Sequence, residues 1–96
     1  MEQGSQSVYY VYVLRSREHD RFYIGMTENL DRRIKEHNRG VTKSTKGFRP
    51  WDLFFFETFP TRKEARAREK KLKSGYGREQ IRAQWAEQDE KTDSSE

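Results

Sequence analysis

The chain has 96 residues, 31% of them apolar and 14% aromatic, with no cysteine and a net charge of +4, which implies one domain with a small core built around rings. Disulfide frameworks and thiolate metal sites are excluded. No apolar run reaches membrane-spanning length and the opening MEQGSQS lacks the basic start and apolar stretch of a signal peptide, so a cytoplasmic protein away from membranes is expected. The charge is uneven: residues 87–96 hold five acids and one lysine, which leaves +8 on the other 86 residues, a field suited to a polyanionic partner.

Residues 1–7 are polar and expected to be flexible. Val8 to Leu14, VYYVYVL, is β-branched and aromatic almost throughout and predicts a strand. Phe22-Tyr23-Ile24 predicts a second, paired with the first as an antiparallel hairpin. Asn29 can cap a helix running to about Asn38, with Gly40 as its stop and Leu30, Ile34 and Val41 facing the core. Residues 42–50 form a basic loop without periodicity. Trp51 to Phe59, WDLFFFETF, predicts a well-buried third strand, with Trp51 and Phe54 to Phe56 in the core. Thr61-Arg62-Lys63-Glu64 is a capping box that opens a helix to about Lys73. Ser74-Gly75 interrupts it, and Arg78 to Trp85 forms a last short helix. The fold class is α+β: a small three-stranded antiparallel sheet flanked by helices, in the order β-β-α-β-α-α. Residues 8–86 make one domain, and 87–96 are expected to be a disordered acidic tail.

Two charged residues occupy apolar positions of helical stripes. Leu30, Arg33, Ile34 and His37 share one face of the first helix, and Ala65, Glu69 and Leu72 one face of the second. Charge on such a face is costly unless it is paired or functional. The plainest structural alternative is a partly buried Arg33–Glu69 ion pair, with His37 capping a carbonyl. Together with Tyr12 and Tyr23 on the paired strands, however, these residues make a kit for phosphodiester hydrolysis. A carboxylate holds a hard divalent cation, a guanidinium stabilises phosphoryl charge, and a phenol or imidazole handles the attacking water.

At these residues the sequence resembles the GIY-YIG nuclease family. Tyr10-Val11-Tyr12 is a degenerate first motif, with Tyr10 in place of glycine, and Tyr23-Ile24-Gly25 is an intact second motif, eleven residues on from tyrosine to tyrosine. Arg33 stands eight positions after Gly25, where the family has its catalytic arginine, with His37 one turn later and Arg68-Glu69 matching the family's Arg-Glu pair. The stretches YIGMTENLDRRIKEHN, STKGFRPW and EARAREKKLKSGYGRE are similar to the small stand-alone bacterial branch, itself akin to the nuclease of the excision-repair incision enzyme and to junction nucleases. Met26 replaces a lysine found in some members, and the late asparagine of others has no clear counterpart.

The resemblance implies a DNA endonuclease of repair or recombination that uses one divalent ion, Mg²⁺ or Mn²⁺. Glu69 would hold the metal, Arg33 would stabilise the transition state, and Tyr12 or Tyr23 would position or activate water with His37 in support. Lys43, Lys46, Lys70, Lys71 and Lys73 are expected to contact DNA phosphates. A monomer is expected, with a partner protein supplying any specificity. The rival readings are a nucleic-acid-binding module with little or no catalysis, and an RNA-directed protein, since basic grooves bind both polymers. His19 is expected at the surface, and no His/Asp cluster suggests zinc.

Overall fold

The computed structural model describes residues 8–94, with side chains described over residues 8–89. The elements are β1 (Tyr9–Ser16), β2 (Phe22–Thr27), α1 (Leu30–Arg39), α2 (Lys43–Lys46), β3 (Trp51–Phe59), α3 (Arg62–Lys73) and α4 (Gly75–Ser94). The three strands form one antiparallel sheet in the order β2-β1-β3. The α+β class and the element order expected from the sequence are those observed, with one added turn, α2.

β1 is the centre of the fold, and its two-residue alternation separates two cores. Val11 and Val13 face Ile24 of β2, Ala65 and Leu72 of α3, and Ile81 of α4. Tyr12 and Leu14 face the other way, toward Trp51, with Tyr23, Leu30, Ile34 and Phe48 packed around them. Helices α3 and α4 therefore cover one face, and α1 with the following turn covers the other. The helix starts are local in origin. The Asn29 side chain accepts a hydrogen bond from the Arg32 N–H (3.1 Å) and that of Thr61 one from the Glu64 N–H (3.2 Å), satisfying donors that a first helical turn leaves free. Gly40, at φ 83°, closes α1 in the left-handed region.

Four expectations need correction. β3 is not well buried: Trp51 is, but Phe54 and Phe55 are only partly covered and Phe56 is 46% exposed. The cause is topological, because β3 is an edge strand. An irregularity opposite Val13/Leu14 also leaves Phe54 out of register, turning Phe56 toward the α1 face, where the Tyr10 ring meets it edge-on at 5.8 Å. Val41 is 61% exposed rather than core, because Gly40 turns the chain outward. The loop after it contains the helical turn α2. The last helix does not stop at Trp85, nor are residues 87–94 without structure: α4 runs on to Ser94. Good helix formers carry it (Ala86, Glu87, Gln88). Arg15 of β1 holds it, lying 4.0 Å from the Trp85 ring centroid and pairing with Asp89 at 2.9 Å. The N-terminal residues 1–7, expected to be flexible, lie outside the described residues.

Candidate active site

Tyr12 on β1 pairs directly with Gly25 on β2. A Cβ at position 25 would lie 2.5 Å from the Tyr12 hydroxyl oxygen and 3.0 Å from the Tyr23 ring. The glycine of the second motif is thus the space into which the Tyr12 side chain extends. It lets the two tyrosines converge, with ring centroids 6.2 Å apart. His37 projects from α1 against both, 4.7 Å from the Tyr23 ring and 6.0 Å from that of Tyr12, centre to centre. Tyr12 and His37 are wholly buried, whereas Tyr23 is half-buried.

Three hydrogen bonds run through this core. The Tyr12 hydroxyl bonds His37 Nε2 (3.1 Å), His37 Nδ1 bonds Thr45 Oγ1 (2.9 Å), and the Thr45 hydroxyl donates to the Thr42 carbonyl (3.3 Å). Thr45 faces inward because its own carbonyl accepts from the Trp51 indole N–H at 2.9 Å. Trp51 is in turn clamped by Asn38, which accepts from its backbone N–H and donates to its carbonyl. Arg33 lies one turn before His37. Its guanidinium donates to Glu36 at 2.9 Å and lies near enough to the Tyr12 hydroxyl to act on its charge. Burial opposes its charge, but Glu36 and Tyr12 more than offset this and hold its pKa above the ordinary arginine value. Burial, with Tyr23 and more weakly Glu69 adding to it, pushes the Tyr12 hydroxyl up to about 12 against the opposing pull of Arg33. Burial and the nearby Arg33 push His37 down to about 4, so its imidazole is neutral at physiological pH.

The structure therefore brings Tyr12, Tyr23 and His37 into contact, with Arg33 one turn before His37 and, like Glu69 of α3, within electrostatic reach of Tyr12. It does not contain the Arg33–Glu69 pair considered above. Arg33 pairs with Glu36, and Glu69 with Lys73 at 3.3 Å. His37 caps no carbonyl; its partners are two hydroxyls. Thr45 and Glu36 are the site residues that the sequence reading missed. The only signal for Thr45 was its place in a Lys-Ser-Thr-Lys run, which equally predicts a residue facing phosphate. The five lysines expected at DNA are all exposed. Lys43 and Lys46 share the turn that presents Thr45 to His37, and Lys73 lies on Glu69, so both groups border the site.

Among the described residues no group of three or more His, Cys, Asp or Glu side chains gathers. A single carboxylate, 16% exposed and opposed only by one flexible lysine, does suit a Mg²⁺-like ion, which keeps several waters and shares its remaining positions with phosphate oxygens. Among the described residues no helix is long and apolar enough to cross a membrane.

This combination of a β-β-α-β-α-α fold, paired motif tyrosines, and an arginine and a glutamate from separate helices is that of a nuclease-type domain. Residues 8–82 match the family model of the GIY-YIG catalytic domain, and the chain belongs to the GIY-YIG family. It is similar to small stand-alone members. A UPF0213 protein of Clostridium perfringens is 43% identical over 67% of this chain and 69% of its own. One from Haloquadratum walsbyi is 42% identical over 74% of this chain and 79% of its own. The solution structure of a UPF0213 protein from Bacillus halodurans is 35% identical, covering 79% of this chain and 83% of that one, with a TM-score of 0.49.

Proposed function

We propose that the protein is a metal-dependent endonuclease that hydrolyses phosphodiester bonds in DNA. The observation that carries this reading is the half-buried Arg33 guanidinium, one turn before a His37 that packs on both motif tyrosines, with Arg33 and the Glu69 carboxylate both within electrostatic reach of Tyr12. A cation so placed binds a phosphoryl group and stabilises the charge that builds on it during attack. Glu69 is the residue that would hold the divalent ion, and such an ion supplies Lewis-acid stabilisation of the scissile phosphate. The Tyr12 hydroxyl is buried and hydrogen-bonded to His37, with its pKa pushed up to about 12, so its part is to place Arg33 rather than to meet water. Tyr23, the more accessible phenol, orients the attacking water. The exposed lysines of α2 and α3 hold the flanking DNA backbone.

The deciding experiment measures Mg²⁺- or Mn²⁺-dependent cleavage of a panel of DNA and RNA structures by wild type, Arg33→Ala, Glu69→Gln and Arg32→Ala, with melting temperature recorded for each. Arg33→Ala and Glu69→Gln should lose roughly 10²-fold or more in rate while staying folded and still binding DNA. Arg32, exposed on another face of α1, should matter little to turnover. Normal cleavage by folded Glu69→Gln sinks the proposal. DNA binding without cleavage by the wild type would make the protein a binding module.

A further inference from the structure

We propose that Thr45 is a positioning residue for Arg33: it holds His37 in the Nδ1–H tautomer, which directs the Tyr12 proton to His37 and leaves the phenol oxygen free to accept from Arg33. This rests on the reading of Arg33 as the phosphoryl-binding group.

The inference follows from which groups can donate. At one end, Arg33 can only donate, so in any bond between it and the Tyr12 hydroxyl the phenol oxygen is the acceptor. At the other end, the Thr45 hydroxyl lies 3.3 Å from the Thr42 carbonyl, which can only accept, and we assign its one proton to that bond. Between these ends two hydrogen bonds remain, and neutral imidazole has one donor and one acceptor nitrogen. With the Thr45 proton committed, Thr45 Oγ1 accepts from His37 Nδ1–H across 2.9 Å, and His37 Nε2 then accepts the Tyr12 proton across 3.1 Å. Every donor has an acceptor, and every bond runs the same way, from Arg33 to Thr42. The opposite tautomer breaks the chain at the Tyr12 end: His37 Nε2–H would face the Tyr12 oxygen and drive the Tyr12 proton toward the guanidinium, while the Thr45 hydroxyl would turn to His37 and leave the Thr42 carbonyl to the Thr45 and Lys46 N–H groups. Tyr12, His37 and Thr45 are all at most 1% exposed, so water does not repair a reversed bond, and an unmade bond in such a place is costly. Thr45 touches neither phosphate nor metal. It acts through His37 and Tyr12 on the placement of one cation, and small misplacements of a catalytic group are expensive in rate.

The test uses the full chain in three forms: wild type, Thr45→Val, which keeps the shape but removes the hydroxyl, and Thr45→Ser, which restores it. The ¹⁵N signals of the His37 ring are read at neutral pH without DNA or metal, in a His19→Gln background so that one histidine remains. His37 should be protonated at Nδ1 in wild type and in Thr45→Ser, and should shift to Nε2–H or an exchanging mixture in Thr45→Val. In cleavage assays Thr45→Val should lose about 10²-fold in kcat with KM little changed, and Thr45→Ser should recover most of it. An Nε2–H tautomer in wild type overturns the proposal, and needs no variant to fold. So does a folded Thr45→Val protein with the Nδ1–H tautomer and full kcat. If wild type cleaves no nucleic acid, the nuclease reading fails, while the ring signals still decide whether Thr45 sets the tautomer.

Discussion

His37 contributes stability that depends on pH, with a definite sign. Its pKa falls from 6.5 in an exposed histidine to about 4 in the fold. The unfolded chain therefore binds the proton more tightly, and stability is lost as pH falls through the interval between the two values. Most of that interval lies above the range in which the paired carboxylates Glu36, Asp52 and Asp89 titrate, since their arginine partners hold them below ordinary values. Denaturant unfolding at pH 8 and pH 5 should thus differ by about 2 kcal/mol, and His37→Gln should flatten the difference. An equally steep loss in that variant would assign it to other groups. Gly25 is the other residue whose environment predicts a number. Gly25→Ala drives a methyl into the buried Tyr12 ring, and overpacking of this kind costs about 1–3 kcal/mol. Melting should drop by several degrees and cleavage should fall further than stability does, because the ring displaced is the one proposed to place Arg33. A variant as stable and active as wild type would show that Tyr12 has room to move.

Among the elements, α4 is the one whose ends do different things. Its first half supplies Ile81 to the core, and Arg82 pairs with Asp20 at 2.8 Å. Its middle sets Trp85 against Phe22, ring centroids 6.2 Å apart, and against Arg15. Beyond that, Asp89 pairs with Arg15, half exposed on the Asp89 side, and such pairs contribute about 0–1 kcal/mol. Ending the chain after Ala86 should lower the melting temperature by only a few degrees, whereas Trp85→Ala should cost more, since it removes a stacked ring and a cation–π contact. The same truncation removes five acids and one lysine, so DNA binding should tighten at low salt and converge with wild type at high salt. Scanning calorimetry and fluorescence anisotropy on the two variants separate these effects. Collapse of the fold on truncation would mean that the helix end does more than its ion pair shows.

At the scale of the molecule, the proposed binding to DNA is a matter of net field. The exposed lysines of α2 and α3 sit on a body carrying +8 outside the last ten residues. Contact with about four phosphates predicts a slope of about −3 to −4 in a log–log plot of duplex affinity against salt. Lys70→Ala/Lys71→Ala should flatten it by about one to two units without changing the rate on bound DNA. A slope near zero in the wild type would rule out this electrostatic mode of binding.

Much of this was legible in the chain, because much of it is local. Asn29 and Thr61 announce helix starts through bonds to residues three positions on. Helical spacing places Arg33 one turn before His37 and Glu69 between Ala65 and Leu72, and the strand pattern places Tyr12 and Tyr23 on neighbouring strands. What the sequence could not decide joins residues far apart in it. Tyr12 meets His37 across 25 positions and Arg15 meets Asp89 across 74, and no periodicity encodes such pairs. WDLFFFETF has the composition of a central strand, but burial depends on which strand stands beside it, and the order β2-β1-β3 leaves this one at an edge. Thr45 has the chemistry of a phosphate loop, yet the Trp51 indole draws its carbonyl inward and the hydroxyl follows to His37. The two motif tyrosines are alike as sequence, and only packing buries one hydroxyl and leaves the other ring half open. The sequence by itself determined the local elements and the set of candidate site groups. The tertiary structure decided which group is buried and which is paired, because those follow from what the fold packs against them.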